Sequence, residues 1–133
     1  MLKNLTLAFL FVSSILTAQL QSPADFLGYE VGTQFSRHAD VVTYFEHVAA
    51  NSNMVTYDTY GKTNERRPLT YAVISSPQNI ANIDQIRKDN LKNIGLENGS
   101  ASPQTAIVWL SYNVHGNEAS STEAAMSTLY KLI

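Results

Sequence analysis

Five consecutive apolar residues, Ala106 to Leu110, lie inside the segment Thr105–Tyr112 (TAIVWLSY) and limit the fold more than any other feature of the chain. A run this short and this hydrophobic has the pattern of a central strand buried on both faces. Such a strand needs covering layers, and helices are the usual cover. The next stretch fits that role, because Thr122, Met126, Leu129 and Ile133 recur on one face of a helix. The expected fold class is α/β, a mixed sheet with flanking helices, with further strands required to complete the sheet. No stop signal precedes Ile133, so the helix is expected to run on and the domain to be incomplete at its C-terminus.

Upstream elements support the same class. Gln19 to Gly32 contains Pro23 and two glycines and reads as irregular. Ser36 is placed to cap a helix over Arg37–Ala50, with Val41, Val42, Phe45, Val48 and Ala49 on one face. Val55–Tyr60 and Leu69–Ser75 are strand candidates, joined by the polar connection Gly61–Pro68 as a hairpin. Thr56 and Asp58 fall on one side of the first strand, which suits a sheet edge. Ser76-Pro77 has the form of an N-cap followed by proline at the first helical position. It opens a helix expected to reach Ile94, with Ile80, Ile83, Ile86 and Leu91 as its apolar stripe and Gly95 as its stop. Asn98-Gly99-Ser100 matches a glycosylation sequon, but Asn-Gly is foremost a turn signal.

The first 18 residues form a separate unit. Lys3 precedes the apolar run Leu5–Leu16, and Ala18 offers a small residue for cleavage. Twelve helical residues span about 18 Å, against a bilayer core of roughly 30 Å. The segment reads as a signal peptide removed after Ala18, leaving no stable membrane span and a secreted or otherwise extracytoplasmic domain over residues 19–133. The chain has no cysteine, so an exported form is held by its core or by a ligand and not by disulfides. Nine Lys and Arg residues are scattered, and no basic stripe exists to follow a phosphate backbone, which excludes nucleic acid as a partner.

Between the apolar run and the last helix lies Asn113-Val114-His115-Gly116-Asn117-Glu118-Ala119-Ser120-Ser121. In open α/β sheets, ligands bind beyond the carboxyl ends of strands. An imidazole and a carboxylate three residues apart can converge on one cation if the chain turns tightly, and Gly116 permits that turn. Both groups suit Zn²⁺, at roughly 2.0–2.2 Å. Spacing alone is a weak signal: with three His and six Glu, a bare His-x-x-Glu arises by chance in about one such chain in seven. The alternative is a histidine finishing a turn and a glutamate in the first turn of a helix. His38 and His47 stand nine residues apart on one expected helix, about 2.5 turns, and so face opposite ways. They read as solvated or half-buried helix residues. Glu65 and Glu123 read as surface or packing residues.

Two stretches together carry a resemblance. Thr105–Ile133 resembles the zinc-binding region of carboxypeptidase A-type metallopeptidases, in which a buried strand runs into His-x-x-Glu and then a helix. Tyr60–Leu69 (YGKTNERRPL) resembles that family's G-x-[ST]-x-E-G-R-P-[IL] segment. The likeness covers about Gly28 to Ile133. It implies that His115 and Glu118 are zinc ligands, that a zinc-activated water attacks C-terminal peptide bonds, and that the partner is a peptide or protein substrate. It also implies that the third ligand, a histidine, and the general base, a glutamate, lie beyond Ile133. Arg66 stands where the family has glycine, and Asn117 where many digestive members have arginine. The helix from Pro77 resembles an insertion relative to compact members. Zinc amidohydrolases of the aspartoacylase and succinylglutamate desuccinylase kind also use His-Gly-Asn-Glu. They place it nearer the N-terminus and are usually cytosolic. An inactive homologue acting as a binding module is a third reading.

Overall fold

The computed structural model describes residues 20–101 and 105–133. The expected signal peptide, residues 1–18, lies outside the described residues. The first helix of the described residues is α1 (Pro23–Leu27), where the sequence pattern suggests only an irregular lead-in. Ser22 caps this helix by accepting from the Asp25 N–H at 3.2 Å, and Gly28 ends it in the left-handed region at φ 76°. Start and stop signals flank only five residues, too few to show a helical period.

Helix α2 (His38–Asn51) starts one residue later than expected. Arg37 is the N-cap residue, and the Asp40 carboxylate accepts its N–H at 2.8 Å. Ser36 is drawn away to another partner, described below. The helix presents Tyr44 and Val48, both fully buried, with Val41, Phe45 and Ala49 packed beside them. Tyr44 donates its hydroxyl to the Gln21 carbonyl at 3.1 Å and meets Phe26 edge-on, at 5.2 Å between ring centres. Burial pushes the Tyr44 phenol up to about 12, with the Tyr130 phenol adding to the effect.

Strands β1 (Val55–Lys62) and β2 (Pro68–Ile74) pair antiparallel, with Val55 opposite Ile74 and Tyr57 opposite Ala72. Val55, Ala72 and Ile74 face α2 and the core, while Thr56 and Asp58 are exposed on the opposite face. The hairpin closes through three contacts. The Arg66 N–H donates to Thr63 O at 2.8 Å, the Thr63 N–H donates to Arg67 O at 2.9 Å, and the Arg67 N–H donates to Thr63 Oγ1 at 3.1 Å. Arg66 takes φ 65°, the left-handed conformation in which glycine is cheapest. The arginine thus carries the strain of a conformation that glycine would adopt freely.

The single helix expected from Pro77 to Ile94 is two helices. Ser76 caps α3 (Pro77–Ala81), and α4 (Ile83–Asn93) follows after a break at Asn82. Asn82 ends the first helix by donating to Asn79 O and starts the second by accepting from the N–H groups of Gln85 and Ile86. The apolar stripe continues across this joint, which hides it from a periodicity reading. Neither helix holds a fully buried residue.

The largest departure concerns Thr105–Tyr112. The sheet among the described residues is the two-stranded β1–β2 hairpin, so the expected mixed sheet is not formed there. Residues 106–112 are irregular and open to solvent, with Val108 77% and Trp109 82% exposed. A strand exists only where a neighbour takes up its N–H and C=O groups, and no described segment pairs with this one. Its apolar composition says what it is suited to bury, not what stands beside it.

Helix α5 (Ala119–Leu132) returns to the core, inserting Met126 and Leu129 against Tyr44, Val48 and Val55. Each of these large side chains contributes about 1.5–3 kcal/mol by leaving water. Glu123 lies on the same helix and is 6% exposed. Its carboxylate accepts from the Gly32 N–H, from the Ser36 N–H at 3.2 Å and from Ser36 Oγ at 2.9 Å. The Ser36 hydroxyl is also 2.8 Å from the Tyr29 hydroxyl. Glu123 is therefore a packing residue, but one that packs through its charge. No helix among the described residues is long and apolar enough to cross a membrane.

Two stability measurements follow from this arrangement. Arg66→Gly relieves the left-handed strain at some cost in unfolded-chain entropy, for a net gain of about 0.5–1 kcal/mol. Thermal unfolding should shift upward by a few degrees; no shift would mean that the turn is unstrained. Glu123→Ala removes the acceptor shared by the Gly32 N–H and the N–H and hydroxyl of half-buried Ser36, and should cost about 1–3 kcal/mol in urea unfolding. A loss below about 0.5 kcal/mol, the range of ordinary surface changes, would show that the carboxylate organises nothing.

Candidate metal centre

The residues from Asn113 to Glu118 turn the exposed segment into the start of α5. Asn113 adopts φ 54°, and its side-chain amide donates to Glu118 O at 2.9 Å and to Thr122 Oγ1 at 3.0 Å. The Glu118 N–H donates back to His115 O at 3.2 Å, which closes a turn around Gly116 and Asn117. Glu118 then occupies the N-cap position of α5, its carbonyl accepting from the Ser121 N–H at 3.0 Å.

This turn brings the two expected ligands together. His115 Nδ1 lies 2.7 Å from Glu118 Oε1, and Glu118 Oε2 accepts the His115 N–H at 3.2 Å. These contacts, the imidazole first and the backbone second, hold the Glu118 carboxyl below the usual carboxylate range. A lowered folded value means that the contact contributes above the ordinary carboxylate pKa and is lost as pH falls through the lowered one. The His115 side chain is 73% exposed and that of Glu118 39%, so solvent screens the contribution strongly.

The donor set fits a zinc ion in kind: one imidazole nitrogen and one carboxylate oxygen, side by side and reachable from solvent. It does not complete a site. Among the described residues no group of three or more His, Cys, Asp or Glu side chains could hold a cation. His38 Nε2 is engaged 3.1 Å from the Pro68 carbonyl at the start of α2. His47 is packed against Phe26, 5.2 Å between ring centres, with the Gln21 N–H donating to its Nε2 at 3.4 Å. Neither joins the His115–Glu118 pair. At the hairpin tip, Glu65 pairs with Arg67 at 2.7 Å on the surface.

The residue that sequence reasoning passed over is Asn113. Its place two positions before the histidine was visible, but the signal that matters is its positive φ, and asparagine is several-fold enriched at such positions.

Comparison with known proteins bears on the same stretch. The family model described as zinc carboxypeptidase matches residues 41–133, a span running from α2 through the hairpin to the end of α5. No curated protein and no solved structure matches the chain. With well over half its length matched, and with the His-x-x-Glu turn inside the matched span, the chain belongs to the zinc carboxypeptidase family.

Proposed function

We propose that this chain carries the first two metal ligands, His115 and Glu118, of a zinc-dependent metallocarboxypeptidase that removes residues from the C-termini of peptides or proteins. The observation that carries the reading is the 2.7 Å approach of His115 Nδ1 to Glu118 Oε1 in a solvent-facing turn, within the matched span. Zinc bound there supplies Lewis-acid polarisation of a peptide carbonyl and an activated water. The chain's own part is to present two donors already close together and to keep the carboxylate ionised. By resemblance, the remaining histidine ligand and the general-base glutamate belong to sequence beyond Ile133. The match begins at residue 41, far upstream of the motif, and this favours a peptidase over the zinc amidohydrolases that share His-Gly-Asn-Glu.

Lys3 and the apolar run Leu5–Leu16 support export of this domain. N-terminal sequencing of protein recovered outside the cytoplasm should begin at Gln19; an intact N-terminus starting at Met1 would refute cleavage.

Two protein ligands leave half of a tetrahedral shell to water, so Zn²⁺ binding by the 133-residue chain is expected to be micromolar or weaker. Calorimetric titration should show it, and His115→Ala or Glu118→Ala should abolish it. Nanomolar binding indifferent to His115→Ala would refute the ligand assignment. The chain alone should release no C-terminal amino acids from peptides. A longer form that supplies the third ligand and the base should do so, and should lose that activity to a chelator and to Glu118→Ala.

A further inference from the structure

The His115–Glu118 pair is exposed, and little packs against the turn that holds it. A Cβ built on Gly116 would meet nothing within 4 Å. The geometry of the pair therefore depends on hydrogen bonds, and one side chain spans the whole turn. The Asn113 amide reaches over His115, Gly116 and Asn117 to the Glu118 carbonyl, at 2.9 Å, and to the Thr122 hydroxyl, at 3.0 Å. A carbonyl oxygen can only accept, so the nitrogen of this amide and not its oxygen must face Glu118. Both of its N–H groups are thus directed at the helix that bears the carboxylate.

The backbone conformation makes this possible. At φ 54° Asn113 is in the left-handed region, where a short polar side chain is tolerated and a β-branched one is not. One residue earlier, the Tyr112 hydroxyl donates to Thr128 Oγ1 at 2.9 Å. Two consecutive residues of an otherwise exposed segment are therefore fastened to α5, one on each side of the turn from extended chain to ligand loop.

We propose that Asn113 is a positioning residue for the metal pair, setting the separation of His115 and Glu118 before a cation arrives. The inference rests on reading those two residues as zinc ligands. Groups that orient metal ligands through hydrogen bonds are commonly worth ten- to a hundredfold in metal affinity, roughly, when removed.

The test uses the full chain and titrates it with Zn²⁺, and with Co²⁺ as a spectroscopic probe. Asn113→Gly keeps the left-handed backbone and removes the amide; Asn113→Asp puts an acceptor against the Glu118 carbonyl. Both should weaken Zn²⁺ binding about tenfold or more and alter the visible Co²⁺ absorption, measured well below the unfolding midpoint. Thr122→Val, which leaves the amide bonded to Glu118 alone, should give a smaller loss and serves if the Asn113 variants fold poorly. Unchanged affinity and spectrum in these variants, with binding still abolished in His115→Ala, would overturn the positioning role and leave the ligand assignment standing. Binding that survives His115→Ala would overturn the assignment, and the inference with it.

Discussion

The buried carboxylate of Glu123 is the constraint on which the rest of the structure depends. A charge removed from water is costly unless hydrogen bonds replace its hydration. Here the replacements come from Gly32 and Ser36, some ninety residues earlier in the chain. Ser36 stands immediately before the residue that caps α2, so the carboxylate joins the start of one core helix to the first half of the other. Apolar contacts between Tyr44, Val48, Met126 and Leu129 would tolerate sliding by a fraction of a turn. Three directional bonds to a single carboxylate do not. Hydrophobic burial supplies the free energy of the α2–α5 contact, and Glu123 selects its register.

The same helix that is fixed from inside by Glu123 carries Glu118 at its N-cap, outside the core. One element thus serves both the core and the candidate site. Close to the core, position is enforced by packing. At the turn it is enforced by hydrogen bonds, those of Asn113 and Tyr112 to α5 and those between His115 and Glu118. A ligand pair open to water suits a cation that must enter, and it makes the geometry of the pair sensitive to single polar groups.

Much of this was legible in the sequence, for identifiable reasons. The hairpin followed from two strand-like stretches around a polar connection, and α5 from the spacing of Met126, Leu129 and Ile133. Helices α3 and α4 were legible in extent but not in number, because Asn82 breaks the backbone without interrupting the apolar stripe. Tyr44 was missed as a core residue, and the sequence left Glu123 open between surface and packing, because burial of a polar side chain depends on partners distant in sequence, which no local pattern encodes. The strand expected over Thr105–Tyr112 shows the converse limit. Hydrophobicity reports a tendency to be covered, whereas strand formation is a property of two segments and cannot be read from one. For the site, the spacing of His115 and Glu118 was visible, but their contact depends on the left-handed conformation at Asn113 and the cap at Glu118.

The approach of His115 to Glu118 also bears on how such a pair can take up a metal. A carboxylate must be ionised to serve as a ligand, and protons compete with the metal for it. The hydrogen bonds from the imidazole and from the His115 backbone already favour the ionised form of Glu118, so proton competition at this ligand is confined to acid solution. The imidazole binds a cation through a ring nitrogen that carries no proton. Nδ1 and Oε1 face one another across the turn at 2.7 Å. Binding through Nδ1 would exchange one hydrogen bond for two bonds to the cation, in a turn whose backbone is already closed. On the proposed ligand assignment, the turn's part is to hold the two donors close together, with hydrogen bonds that favour the ionised carboxylate.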